Sequence, residues 1–158
     1  MSPVLGDLAL FAATMATGLM AGLFYTFTVA VMPGLAASDD RTYVVAMRRI
    51  NIAIQNGWFG IAFAGSLLLT LAAALLHLGE PELPWLGAAF VSYGLVLVLT
   101  FSVNIPLNVA LDKVDEAGPA AEHAAARERF ETKWVRWNLA RTLLNVVAFG
   151  FLIWALAL

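Results

Sequence analysis

With 158 residues, 61% of them hydrophobic, and only 13% charged against about 25% in an ordinary soluble domain, the chain cannot be wrapped as a water-soluble globule. A net charge of −2 gives no basic footprint for nucleic acid. The lack of cysteine excludes disulfides, thiolate nucleophiles, iron–sulfur clusters and Cys-ligated zinc.

Charge-free stretches run over Leu8–Ser38 (31 residues), Ile50–Leu76 (27), Leu83–Leu111 (29) and Thr142–Leu158 (17). A bilayer-spanning helix needs about 20 residues, so four spans fit. Runs of this length without period-2 alternation choose helices over a barrel. The expected fold is an all-α membrane protein: a four-transmembrane-helix bundle forming one domain over residues 1–158. Its spans fall near 8–32, 50–76, 84–108 and 138–158, and loops 33–49 and 112–136 carry helical extensions. The first apolar run is too long for a signal-peptide core and lacks a basic leader, so it reads as a retained span.

All nine Lys and Arg residues lie at two places. Arg41, Arg48 and Arg49 fall between spans one and two, and Lys113, Arg127, Arg129, Lys133, Arg136 and Arg141 between or at the edges of spans three and four. The positive-inside rule therefore places both long loops in the cytoplasm and both termini outside, in a multi-pass protein of the cytoplasmic membrane. Ser38 before Asp39 and Asp40 reads as an N-cap, so the second helix is expected to run from near Asp39 to about Leu76, bending near Gly57 and Gly60. Gly118-Pro119 marks a break and a helix start before a soluble lead into span four. His77 and His123 fall in loops on opposite sides and are expected to be solvated.

Polar residues inside a membrane are costly, so their placement is informative. Span one carries Tyr25, Thr26 and Thr28 near its inner end. Span two opens with Arg48, Asn51, Gln55 and Asn56, of which Arg48, Asn51 and Gln55 share a face. In span three Asn104, Asn108 and Asp112 recur every four residues around Pro106. In span four Trp134, Asn138, Arg141 and Asn145 share a face, with Trp137 beside them. All four ends are cytoplasmic by the charge rule and meet at one mouth, which suits a pocket for an amphipathic, membrane-dissolved small molecule.

Each feature also has a structural reading. Trp134 and Trp137 fit an aromatic belt, Arg136 a snorkelling anchor, Asn104 and Asn108 interhelical hydrogen bonds, and Gly18 and Gly22 a packing face. Pro106 fits a simple kink whose freed carbonyl an Asn side chain meets. Arg141 is harder to place as structure, because no acidic residue lies within a span to neutralise it. Its partner is an Asn side chain, a carbonyl, an interfacial carboxylate such as Asp112, or an anionic ligand.

The segments 18–34 (GLMAGLFYTFTVAVMPG), 47–59 (MRRINIAIQNGWF), 104–108 (NIPLN) and 129–141 (RFETKWVRWNLAR) together resemble the anthrone oxygenase-like integral membrane family. The resemblance implies conversion of an anthrone-like aromatic polyketide to a quinone with molecular oxygen and no cofactor. It implies as partners a hydrophobic aromatic small molecule, O2 and membrane lipid, with self-association open. Such chemistry needs a dry aromatic slot, donors for a developing enolate oxygen and a proton acceptor. Arg141, with Asn138 and either Asn104 or Asn108, is expected to hold the oxyanion. Trp134, Trp137 and Tyr25 are expected as stacking walls, with Asn51, Asn56 and Asn145 as further contacts. Asp112 is the expected base, with Glu131 or water as alternatives. A reading from another class is a non-catalytic membrane module that binds an amphipathic ligand, a lipid or a partner protein.

Overall fold

The computed structural model describes residues 3–158 and is all-helical over them. Helix α1 (Pro3–Thr26) runs through a π-helical stretch (Phe27–Val31) into α2 (Met32–Ala36). Helices α3 (Asp40–Ala53) and α4 (Gly57–Leu76) follow. Helix α5 (Leu83–Leu99) passes through a second π-helical stretch (Thr100–Asn104) into α6 (Ile105–Asp112), and α7 (Ala120–Leu156) completes the chain. Four segments are long and apolar enough to cross a membrane: Val4–Ala36, Gly57–Leu76, Leu83–Asp112 and Ala120–Leu156.

Both π-helical stretches end two residues before a proline, Pro33 and Pro106. A proline ring clashes with the carbonyl four residues earlier, here that of Val29 and of Ser102, and widening the turn relieves the clash without ending the span. Asn104 does not meet the freed carbonyl, since neither its amide oxygen nor its nitrogen has a partner. Pro106 therefore produces a π-bulge rather than the simple Asn-mended kink.

The second helix is not continuous from Asp39. It breaks at Ile54–Asn56, and two polar side chains mend the ends: Gln55 Nε2 donates to the Asn51 carbonyl (2.9 Å) and Asn56 Nδ2 to the Ala53 carbonyl (2.8 Å). Asn56 Oδ1 also accepts from the Phe59 amide at 3.0 Å, which makes it the N-cap of α4. The N-cap of α3 is Asp39 rather than Ser38; its carboxylate accepts from the Thr42 amide (3.0 Å) and hydroxyl (2.6 Å). Those two bonds hold the Asp39 carboxyl below its usual range, so this cap is complete above the ordinary Asp pKa and is lost as pH falls through the lowered one.

The basic loop residues and their acidic partners gather at one end of the bundle, while Asp7, Glu80 and Glu82 lie at the other. Arg127 bonds Asp40 (3.1 Å), Glu131 (2.7 Å) and the Ser38 and Ala36 carbonyls, while Arg48 and Arg49 both reach Glu116 at 3.5 and 3.3 Å. Both basic loops therefore pack together. Neither histidine is solvated: His123 is fully buried on α7, and His77, at the end of α4, is buried with Nδ1 bonded to the Ala73 carbonyl. Helix packing overrides their loop-like sequence context.

If the charged end is cytoplasmic, single cysteines at Glu80 and Ala124, both exposed, will react with an impermeant thiol reagent from opposite sides of sealed cells. Labelling of both from one side would overturn that topology. Of the expected packing pair on α1, Gly18 packs and Gly22 does not: a Cβ at Gly18 would lie 2.8 Å from the Phe149 ring, whereas Gly22 faces open space. Gly18→Ala is therefore expected to lower stability by about 1–3 kcal/mol, read as an earlier thermal transition, and Gly22→Ala to leave it unchanged.

Candidate functional site

Arg141 sits in the middle of α7, the most regular span, and is 5% exposed. Its Nη2 donates to Asn138 Oδ1 at 2.8 Å and its Nη1 to the Thr100 hydroxyl at 3.2 Å, while Nε has no partner. The guanidinium lies 4.6 Å from the Phe24 ring centre and 5.5 Å from that of Trp134. Among the described residues no carboxylate pairs with it. Three acids of the charged end are engaged with other arginines, Glu116 with Arg48 and Arg49, and Asp40 and Glu131 with Arg127, while Asp112 shares the cavity lining with Arg141 without pairing to it. Arg141 is thus a desolvated cation held by neutral groups and aromatic faces, with donors to spare.

Those spare donors border a cavity of about 310 Å³. Its walls come from every span: Phe24 and Phe27 from the first, Asn51, Ile54, Phe59 and Phe63 from α3, the elbow and α4, Thr100, Asn104, Asn108 and Asp112 from the third, and Trp134, Asn138 and Arg141 from the fourth. Several buried polar atoms on the lining are unpartnered, namely Asn51 Nδ2, both amide atoms of Asn104, Asp112 Oδ1 and Arg141 Nε. Buried polar groups are nearly always satisfied, so so many orphans around one cavity mark a place where something else bonds them.

Seven of the eleven expected site residues line this cavity: Arg141, Asn138, Asn108, Asp112, Asn51, Asn104 and Trp134. Four do not. Tyr25 is 55% exposed on the outer face of α1; Phe24, one position earlier, takes the inner face. Trp137 is 41% exposed and points away, as an aromatic-belt residue does. Asn56 is spent as the cap of α4. Asn145 is fully buried one turn deeper on α7 with both amide atoms unpartnered, and does not reach the cavity.

Two roles change as well. Asn138 cannot donate to a ligand, because its amide hydrogens go to the Phe24 carbonyl (3.2 Å) and the Thr28 hydroxyl (2.9 Å) and its oxygen accepts from Arg141. It is a clamp that fixes Arg141, and Thr28 is further tied to the Thr142 hydroxyl at 3.0 Å. Asn108 Oδ1 accepts from the Trp134 indole at 2.9 Å, which orients Trp134 and turns the Asn108 amide nitrogen into the remaining donor. Glu131, bound to Arg127 at 2.7 Å, is not on the lining, whereas Asp112 is.

Thr100, Phe24 and Phe27 were not anticipated. Thr100 extends the four-residue series Asn104, Asn108 and Asp112 by one step, and Met20, Phe24 and Phe27 sit at helical spacing on one face, so both signals were present. Among the described residues no three His, Cys, Asp or Glu side chains gather as metal ligands do.

A family model described as anthrone oxygenase matches residues 51–151, from the end of α3 through α4, the third span and most of α7. No curated protein and no solved structure matches the chain. The match covers more than half the sequence and includes Arg141, Asn138, Asn104, Asn108, Asp112 and Trp134, so the chain belongs to the anthrone oxygenase family.

Proposed function

We propose that the protein is a membrane oxygenase that converts an anthrone-like aromatic ketone to a quinone with O2, without a cofactor, in the Arg141 cavity. The observation that carries this reading is a buried guanidinium with no carboxylate partner and an unpartnered Nε, set among aromatic faces beside an apolar cavity. Such a cation attracts a ligand oxygen that gains negative charge, and does so more strongly than in water because water is excluded.

An anthrone carries a methylene opposite its ketone carbonyl, and loss of one methylene proton leaves an electron-rich enolate. Asp112 takes that proton through an intervening water, and Arg141 with the Asn104 amide nitrogen donates to the enolate oxygen. The enolate passes one electron to O2, and the resulting radical and superoxide join as a C–O bond, giving a peroxide anion that takes up a proton. Loss of the second methylene proton forms the new carbonyl as the O–O bond breaks and water leaves. Anthrone and O2 thus balance quinone and water. Trp134, Phe24 and Phe27 wall the flat ring system, while Asn138, Thr28 and Thr100 hold Arg141 in place. The charged end of the bundle faces the cytoplasm in this reading, with both termini outside.

The test is oxygen uptake by an anthrone in the presence of detergent-purified protein stripped of metals and given no flavin or nicotinamide. Acceleration above the Arg141→Ala protein at equal detergent supports the oxygenase. Uptake with the native protein no faster than in detergent alone, across several anthrones, favours a non-catalytic module whose unpartnered Asn51 and Asn104 amides bind an amphipathic ligand.

A further inference from the structure

The cavity is sealed unevenly. Its walls on the first and fourth spans, Phe24, Phe27, Trp134, Asn138 and Arg141, are all buried. Every exposed lining residue lies either on the elbow between α3 and α4 (Gln55) or on the third span, where Phe101 is 60%, Ile105 37% and Val109 50% exposed. The opening is therefore a slit between the elbow and the third span. Three of its four exposed edges are large apolar side chains on a membrane-spanning segment, which is surface that faces acyl chains rather than water.

Two backbone irregularities contribute to the lining, the break at Ile54–Asn56 and the π-helical stretch Thr100–Asn104. Non-helical backbone at membrane depth is tolerated where it borders a cavity, and π-bulges recur at functional sites. Trp58, 86% exposed just past the elbow, has the placement of an interfacial anchor and sets the elbow near headgroup level. The slit floor is closed by Phe63, stacked on Phe59 at 5.2 Å and tilted against Phe101 at 6.3 Å. Arg141 and Thr100 mark the deep end, and Thr100 lies roughly 18 Å of helix axis from Asp112.

We propose that this slit is a portal to the bilayer, so that the ligand of the Arg141 site is a membrane-dissolved amphiphile that enters oxygen first and leaves an apolar substituent trailing among the acyl chains. The proposal rests on the reading of the Arg141 cavity as a ligand site. It adds the route and a rule of substitution: an alkyl group is accepted on the edge remote from the bonded oxygen and rejected beside that oxygen, where the Phe24 and Phe63 walls stand. O2, which also concentrates in lipid, arrives by the same route.

The natural absence of cysteine allows a direct test in lipid nanodiscs. A cysteine replacing Phe63 on the cavity floor is expected to react faster with a membrane-partitioning maleimide than with a charged, water-soluble thiosulfonate. Adding Val109→Trp at the slit edge should slow the maleimide roughly tenfold, the effect of about 1.4 kcal/mol of added barrier, and leave the charged reagent unaffected. Para-dodecylphenol, with its chain opposite the hydroxyl, should protect the cysteine, and ortho-dodecylphenol, which partitions alike, should not. Phe59→Cys, half-buried on the same wall, serves if the Phe63 variant does not fold. A charged reagent that reacts as fast as the maleimide, or a Val109→Trp variant that changes nothing, overturns the portal; equal protection by the two phenols overturns the oxygen-first orientation. None of these readings needs turnover, so absent oxygen uptake with this labelling pattern removes the oxygenase and leaves the portal.

Discussion

Arg141→Ala is expected to cut the rate of protein-dependent anthrone oxidation by about a hundredfold or more while the chain still folds. A single preorganised donor to a developing oxyanion in a dry site is worth about 3 kcal/mol, because water cannot take its place there. The loss should appear in kcat as well as in kcat/KM, since the charge that Arg141 meets is fully developed only in the enolate. The fold should survive: Thr100 keeps its bond to the Val96 carbonyl at 2.7 Å, and Asn138 keeps both donor bonds to span one, so only the Asn138 oxygen is left without its partner. Helical content and a monodisperse elution profile at equal detergent check this. Asn138→Ala should cost less, about tenfold, because it loosens Arg141 without removing the charge. Anthrones oxidise spontaneously in alkaline buffer, so uptake in protein-free detergent is subtracted from both proteins before they are compared. Retention of full activity by that variant would exclude Arg141 from the chemistry.

The parts of this site that were legible in the sequence are those carried by unbroken helix. α7 runs 37 residues without irregularity, so the spacing of Trp134, Asn138 and Arg141 translated directly into one inward face. Its neighbours went wrong where the helix period is altered or where a polar side chain has a local use. The bend expected near Gly57 is there, but it is a full break over Ile54–Asn56, stable because Gln55 and Asn56 satisfy the backbone locally, which also removes Asn56 from the site. At the inner end of α1 polarity points to Tyr25 as the inward residue, and the structure turns Phe24 inward instead. In a membrane the outer surface welcomes a tyrosine ring near the interface, while the inner position beside a guanidinium is better filled by the apolar Phe24 face. Spacing sets Asn138 on the inward face, but its task depends on how span one packs beside it, where the Phe24 carbonyl and the Thr28 hydroxyl take both amide hydrogens.

Asp112→Asn is expected to slow oxidation by roughly a hundredfold or more and to leave ligand binding intact, the usual scale for removing a positioned general base. The carboxylate qualifies by elimination within the structure: Glu131 is held by Arg127 and Glu116 by two arginines, whereas Asp112 lines the cavity with Oδ1 unpartnered. It sits toward the opposite end of the cavity from Arg141, on the side to which the methylene points when the ketone oxygen meets the guanidinium, and a water at that polar end carries the proton across the remaining gap. Asparagine keeps the shape and the amide oxygen but cannot accept the proton, so affinity for the quinone product, which has no methylene to ionise, should not change. Proton removal would then become slower than electron transfer to O2, and a substrate deuterated at the methylene should show a larger isotope effect in the variant than in the native protein. A native rate in Asp112→Asn, with an unchanged isotope effect, would assign proton removal to water and leave the carboxylate as a solvated helix-end acid.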